Sequence, residues 1–150
     1  SIKTAQNHYT EAKEFYNEGK YTSAINSINK AIKLDGSNAD FYALRGWSNN
    51  SLDKDTDAID DFNRCLQINK NLSGCYNGRG FINYNNKDFT SALDDFNKAI
   101  QKNNDNGAYY YNRGLTYSNL NNEKKACKDF RKSYDRGYVD AKEQIDYYCK

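Results

Sequence analysis

Gly46, Gly80 and Gly114 stand 34 residues apart, and four more columns of residues keep the same interval. Arg45, Arg79 and Arg113 immediately precede the glycines. Ala58, Ala92 and Ala126 follow twelve residues after them. Asp61, Asp95 and Asp129, then Phe62, Phe96 and Phe130, complete each copy. Five columns in one register mark a supersecondary unit used repeatedly, so the chain must bury its apolar faces by stacking such units. A fainter copy lies upstream, with Ala12, Ala24 and Ile28 in the Gly, Ala and Phe columns and Gly19 and Tyr21 at the turn. The units therefore run 5–38, 39–72, 73–106 and 107–140, and the tail, 140–149, reads as one more helix.

Spacing within a unit predicts helix–turn–helix. Tyr110, Gly114 and Tyr117 follow an i, i+4, i+7 stripe, and Ala126, Phe130 and Ser133 form a second beyond the turn at Leu120-Asn121-Asn122. A glycine inside a helix costs roughly 1 kcal/mol relative to alanine, so its recurrence implies close packing at that column. The other breaks, Asp53-Lys54, Asn86-Lys87 and Asn103-Asn104-Asp105-Asn106, are polar and turn-prone. Absence of proline suits a nearly all-helical chain. A mean hydropathy of −1.08 is low for a globule with a central core but suffices when each unit buries only the faces meeting its neighbours. The 22 basic and 20 acidic residues nearly cancel. No basic block stands out along the sequence, which argues against nucleic acid as a partner. No apolar run approaches the roughly 18 residues of a membrane span. Part of the Tyr and Asn content is a habit of AT-rich genomes, and the lack of any Met suggests that residue 1 is not a translation start.

Tyr110-Tyr111-Asn112-Arg113-Gly114 with Ala126-Cys127-Lys128-Asp129-Phe130 resembles the tetratricopeptide repeat family, and the resemblance covers essentially the whole chain. It implies an all-α fold: a right-handed α-solenoid of four 34-residue helix-turn-helix repeats in a single domain. The stretch from Ala126 to Cys149 resembles the terminal cap of bacterial members. One departure is that the proline usual near each unit's end is replaced by Gly36, Lys70, Asn104 and Tyr138, which leaves the sharpness of the inter-repeat turns open.

The recurring Arg and Asp allow two readings, a ladder of anion-binding arginines or structural ion pairs Arg45–Asp61, Arg79–Asp95 and Arg113–Asp129. The first unit lacks both partners, with Glu11 and Ser27 in those columns, and joint presence with joint absence favours pairing. Among the cysteines, Cys65 and Cys75 are equidistant from the turn near Lys70, and Cys127 and Cys149 from that near Tyr138. Antiparallel helices place such residues opposite one another. Two disulfides are therefore expected, against the alternative of four small buried side chains, and they favour a periplasmic or extracellular location over a cytoplasmic one. With no C-x-x-C and a single histidine, His8, the parts for a zinc site or a Cys–His catalytic pair are missing. Asn49-Asn50-Ser51 and Asn71-Leu72-Ser73 match the glycosylation pattern, at low specificity in so Asn-rich a chain.

The family resemblance implies a concave groove lined by the first helices. Column by column it assigns Tyr9, Lys13 and Tyr16 from unit one, Trp47 and Asn50 from unit two, Asn77, Phe81 and Tyr84 from unit three, and Tyr111, Ser118 and Asn119 from unit four. Such an aromatic, amide-rich surface suits a peptide. The Lys and Asn clamp by which some members hold a carboxylate tail is not assembled, since Gln6, Leu44 and Gly78 occupy its columns. The chain thus reads as a non-catalytic scaffold for a peptide or protein, needing no metal or cofactor. Its rivals are a subunit that stacks head-to-tail into a filament or oligomer through repeat one and cap residues such as Ile145 and Tyr148, and, more remotely, a carbohydrate binder or an enzyme.

Overall fold

A computed structural model describes residues 2–150. Among them are nine helices and no strand: α1 (Ala5–Asn17), α2 (Tyr21–Leu34), α3 (Ala39–Asn50), α4 (Asp55–Ile68), α5 (Ser73–Asn85), α6 (Phe89–Lys102), α7 (Gly107–Asn119), α8 (Glu123–Asp135) and α9 (Ala141–Tyr148). Contacts gather the chain into two compact units, one ending at Gly78 and the other beginning at Arg79, a division that falls within α5. In the first, α1 packs on α2, α2 on α3 and α3 on α4. In the second, α6 packs on α7, α7 on α8 and α8 on α9.

The repeat columns form the core. Ile28, Phe62, Phe96 and Phe130 are fully buried, as are Ala24, Ala58, Ala92 and Ala126. Burying one such large side chain contributes about 1.5–3 kcal/mol. The glycine column explains how the rings fit. A Cβ on Gly46 would lie 2.9 Å from the Phe62 ring, one on Gly80 3.0 Å from Phe96, and one on Gly114 2.7 Å from Phe130. The glycines thus make room for a phenylalanine edge sixteen residues on, rather than for a second backbone. Unit one carries the complementary pair: Ala12 stands in the glycine column, and the ring is replaced by the smaller Ile28.

The turns inside the hairpins share one device. Gly19, Asp53, Lys87 and Asn121, again 34 residues apart, all have positive φ, at 74°, 56°, 62° and 57°. Only the first is a residue that adopts this conformation without steric cost. Turns between hairpins share another. Asp35 Oδ1 accepts from the Ser37 N–H, Asn69 Oδ1 from the Asn71 N–H and Asn103 Oδ1 from the Asp105 N–H, each at 3.0 Å. These Asx turns fix the chain where the family's proline is missing. Asn38, Asn106 and Asn122 cap α3, α7 and α8 through their side chains, and Thr4 and Asn7 close a reciprocal box at the start of α1. Much of the asparagine therefore has a structural task, beyond any compositional habit.

Candidate functional site

Each arginine of the repeat meets its aspartate. Arg45 Nη2 lies 2.7 Å from Asp61, Arg79 Nη2 2.7 Å from Asp95 and Arg113 Nε 2.7 Å from Asp129. All three aspartates are buried, and Asn49 and Asn83 donate to two of them at 3.0 and 3.4 Å. Burial opposes the charge on Arg113, but its bond to Asp129 and that carboxylate's field outweigh it and hold the guanidinium above its ordinary pKa. A second contact was not anticipated from sequence. Arg45 Nη1 donates to Asn29 Oδ1 at 2.8 Å, and Arg113 Nη1 to Asn97 Oδ1 at 3.0 Å. Asn29, Asn63 and Asn97 form a column sixteen residues before the arginines, so the signal was present in the period. Unit one substitutes an uncharged donor, Ser27 Oγ donating to the Glu11 carboxylate Oε2 at 2.9 Å. These arginines are committed inside the protein and are not a ladder for an external anion.

The cysteines form two disulfides, Cys65–Cys75 and Cys127–Cys149, with Cα separations of 6.5 and 5.2 Å. The first joins α4 to α5, and the second anchors the end of α9 to α8.

The first-helix faces hold the residues assigned to the groove. In the first unit, Tyr9 packs against Phe41 with ring centroids 5.0 Å apart, and Lys13 Nζ sits 4.8 Å above the Tyr9 ring. Tyr16 meets Tyr21 edge-on, and Trp47 meets Phe62 edge-on at 5.3 Å. Tyr9, Tyr16, Trp47 and Asn50 are all half-buried and Lys13 is exposed, so each keeps an open side. Burial raises the Tyr9 and Tyr16 hydroxyls, helped at Tyr9 by Asp40, so both remain neutral hydrogen-bonding groups at ordinary pH. Asn77 departs from the groove assignment: at 9% exposure it is a buried, partnered residue.

In the second unit, Phe81 and Tyr84 are half-buried. Tyr84 packs on Phe89 and accepts from Asn119 Nδ2 at 3.0 Å. Tyr111 is half-buried, its ring lying 4.9 Å from Tyr138 of the cap segment and 5.8 Å from Phe130. Burial raises its hydroxyl first, followed by the neighbouring Tyr138, Asp140 and Glu143. Ser118 donates to the Tyr148 hydroxyl at 2.6 Å, and Tyr148 stacks on Phe130. The last repeat therefore shares part of its first-helix face with the cap. Among the described residues, no group of three or more His, Cys, Asp or Glu side chains could hold a metal ion, and no helix is long and apolar enough to cross a membrane.

Comparison with known proteins agrees with this architecture. A tetratricopeptide repeat profile matches residues 9–71, and a second profile of that description matches residues 107–136. The chain belongs to the tetratricopeptide repeat family. No curated protein matches the sequence. Among solved structures, it is similar to MamA, with 24% identity and a TM-score of 0.79 over 92% of this chain and 81% of that one. It is also similar to YrrB, described as a tetratricopeptide protein with an unusual peptide-binding site: 22% identity and a TM-score of 0.74 over 93% and 74% of the two chains. The first such domain of Spaghetti (RPAP3), solved with the HSP90 peptide SRMEEVD, gives 20% identity and a TM-score of 0.75 over 78% and 93%. At these identities the likeness establishes the fold class, an all-α helical-repeat solenoid.

Proposed function

We propose that the chain is a non-catalytic interaction scaffold that holds an extended peptide or protein segment on its first-helix faces. The observation that carries this is the open aromatic and amide surface of α1 and α3, where Tyr9, Tyr16, Trp47 and Asn50 are braced from behind yet remain half-exposed beside Lys13. Aromatic side chains fixed by packing lose little freedom on binding, and amides can pair with a peptide backbone. Phe81, Tyr84 and Asn119 offer a second surface of the same chemistry in the other unit. The peptide-binding site described for YrrB and the peptide bound by the Spaghetti domain support such use of the fold. The disulfides support an oxidising compartment, a periplasm or the cell exterior. Head-to-tail assembly through the cap draws no such support, since Tyr148 is engaged within its own unit.

The test is selection of binders from a phage-displayed library of random dodecapeptides. Peptides enriched on the native chain are expected to lose at least about tenfold in affinity, about 1.4 kcal/mol, on Tyr16→Ala or Trp47→Leu. Far-ultraviolet circular dichroism should stay helical. Failure to enrich any peptide, or enriched peptides indifferent to both substitutions, would sink the proposal.

A further inference from the structure

The four repeats permit an internal comparison of their second helices. In α4, five successive solvent-side columns hold Thr56, Asp57, Asp60, Asn63 and Arg64. The same columns in α2 and α6 carry one cation each, Lys30 and Lys98, the latter paired with Asp94 at 2.6 Å. In α8 every one of the five is cationic: Lys124, Lys125, Lys128, Arg131 and Lys132. The helix forms in three other repeats without this charge, so the fold does not require it.

Much of this charge also opposes the helix that carries it, though the dipole favours Lys132 in the last turn. Lys124, Lys128 and Lys132 repel one another at i, i+4 spacing, and Lys124 and Lys125 sit in the first turn, where the helix dipole disfavours cations. Lys125 and Lys132 lie over the Tyr117 and Tyr110 rings, at 5.3 and 5.6 Å. Lys124, Lys128 and Arg131 make no ion pair among the described residues. These three line a cleft of about 610 Å³ between α8 and the end of α9, together with Lys132 and Lys150. Two carboxylates, Glu123 and Asp135, offset only part of the five positive charges there. The Cys127–Cys149 disulfide and Tyr148 supply apolar wall.

We propose that this α8–α9 cleft is a second binding site, distinct from the first-helix faces, that takes an acidic peptide segment carrying an apolar side chain. Four of its five cations are lysines, compact point charges on flexible stems that can each pair with a separate carboxylate. The disulfide and the Tyr148 ring reward an apolar side chain, which a uniformly charged polymer lacks. The cleft volume lies within the range of small ligand sites, room for a few residues.

The probe is a fluorescein-labelled peptide, Asp-Glu-Asp-Leu-Phe-Asp-Glu-Asp, titrated with the intact disulfide-bonded chain and read by fluorescence anisotropy. Binding should weaken severalfold between 50 and 200 mM salt, since exposed charges are screened. A triple variant, Lys124→Thr, Lys128→Asp and Arg131→Asn, copies residues that α4 already carries in a folded repeat. It should lose at least tenfold in affinity while remaining helical. Lys30→Glu with Lys33→Glu, on α2, should leave binding unchanged. Replacing Leu-Phe of the probe by Ser-Ser should cost at least threefold. Equal binding by the triple variant overturns the site. A thymidine oligonucleotide of equal length that binds as tightly as the peptide overturns its assignment to acidic peptide.

Discussion

Phe130 and Gly114 show how strongly one residue's shape fixes another. The ring edge occupies space that any side chain at position 114 would need, with a Cβ there only 2.7 Å from the ring. Gly114→Ala gains helix propensity but overpacks the core, for an expected net loss of about 1–2 kcal/mol. Ala12 with Ile28 is the alternative solution already present in the molecule. Combining Gly114→Ala with Phe130→Ile should therefore be less destabilising than the sum of the single changes by about 1 kcal/mol in urea unfolding, and strict additivity would refute the coupling. Glu11 offers a residue-scale pH dependence. Its bond to Lys3, then that to Ser27, hold its carboxyl at about 2, against an ordinary 4.5. A folded-state value below the unfolded one means that the interaction stabilises fully above about pH 4.5 and is lost as pH falls toward 2. Ser27→Ala should move the Glu11 carboxyl back toward 4.5 in a carbon-detected NMR titration, and an unmoved midpoint would count against the bond.

At the scale of helices, the arginines of α3 and α7 are joints between elements. Arg113 reaches Asp129 on α8 and Asn97 on α6, and Arg45 joins α3 to α4 and α2 in the same way. Arg113→Met leaves Asp129, 2% exposed, as a buried charge without its cation, for an expected cost of about 3–5 kcal/mol. Pairing it with Asp129→Leu removes the stranded charge and should recover most of that loss in thermal unfolding; no recovery would mean that the tie acts through packing alone. These ties, like the helices, were legible because they recur: a 34-residue period repeats every core contact, so one well-matched copy explains the others. Features that recur more quietly were missed. The positive-φ position passes through Gly19, Asp53, Lys87 and Asn121, four residue types with one backbone geometry. The Asx turns pass through Asp35, Asn69 and Asn103, where the sequence registered only a missing proline. The cationic side of α8 was hidden for a different reason. Along the chain its lysines are interleaved with Ala126, Asp129 and Phe130, and only the helical turn gathers them onto one face.

For the molecule as a whole, the groove residues were less legible than the core, because exposure depends on what else covers a face. Nothing local to Tyr111 announces that Tyr138 will pack against its ring, nor does the column of Asn77 reveal its burial. The cysteines were readable because symmetry about a turn is a geometric statement that survives any detail of packing. One disulfide falls within each compact unit, closing loops with sequence separations of 10 and 22. Restricting the unfolded chain in this way is worth about 3 kcal/mol per bridge, slightly more for the longer loop. Against a typical 5–15 kcal/mol for a whole domain, neither bridge is a minor term. The second matters more locally, since α9 has eight residues, shorter than the dozen or so at which an isolated helix becomes even marginal. Reduction of both bridges should lower the melting temperature by more than about 10 °C. Cys127→Ser with Cys149→Ser should abolish hydrogen-exchange protection in α9 while leaving α1 to α3 protected. Cys65→Ser with Cys75→Ser should instead loosen the end of α4 and the start of α5. An unchanged melt under reductant would show that the helices hold without their staples, and the case for an oxidising compartment would lose its energetic basis.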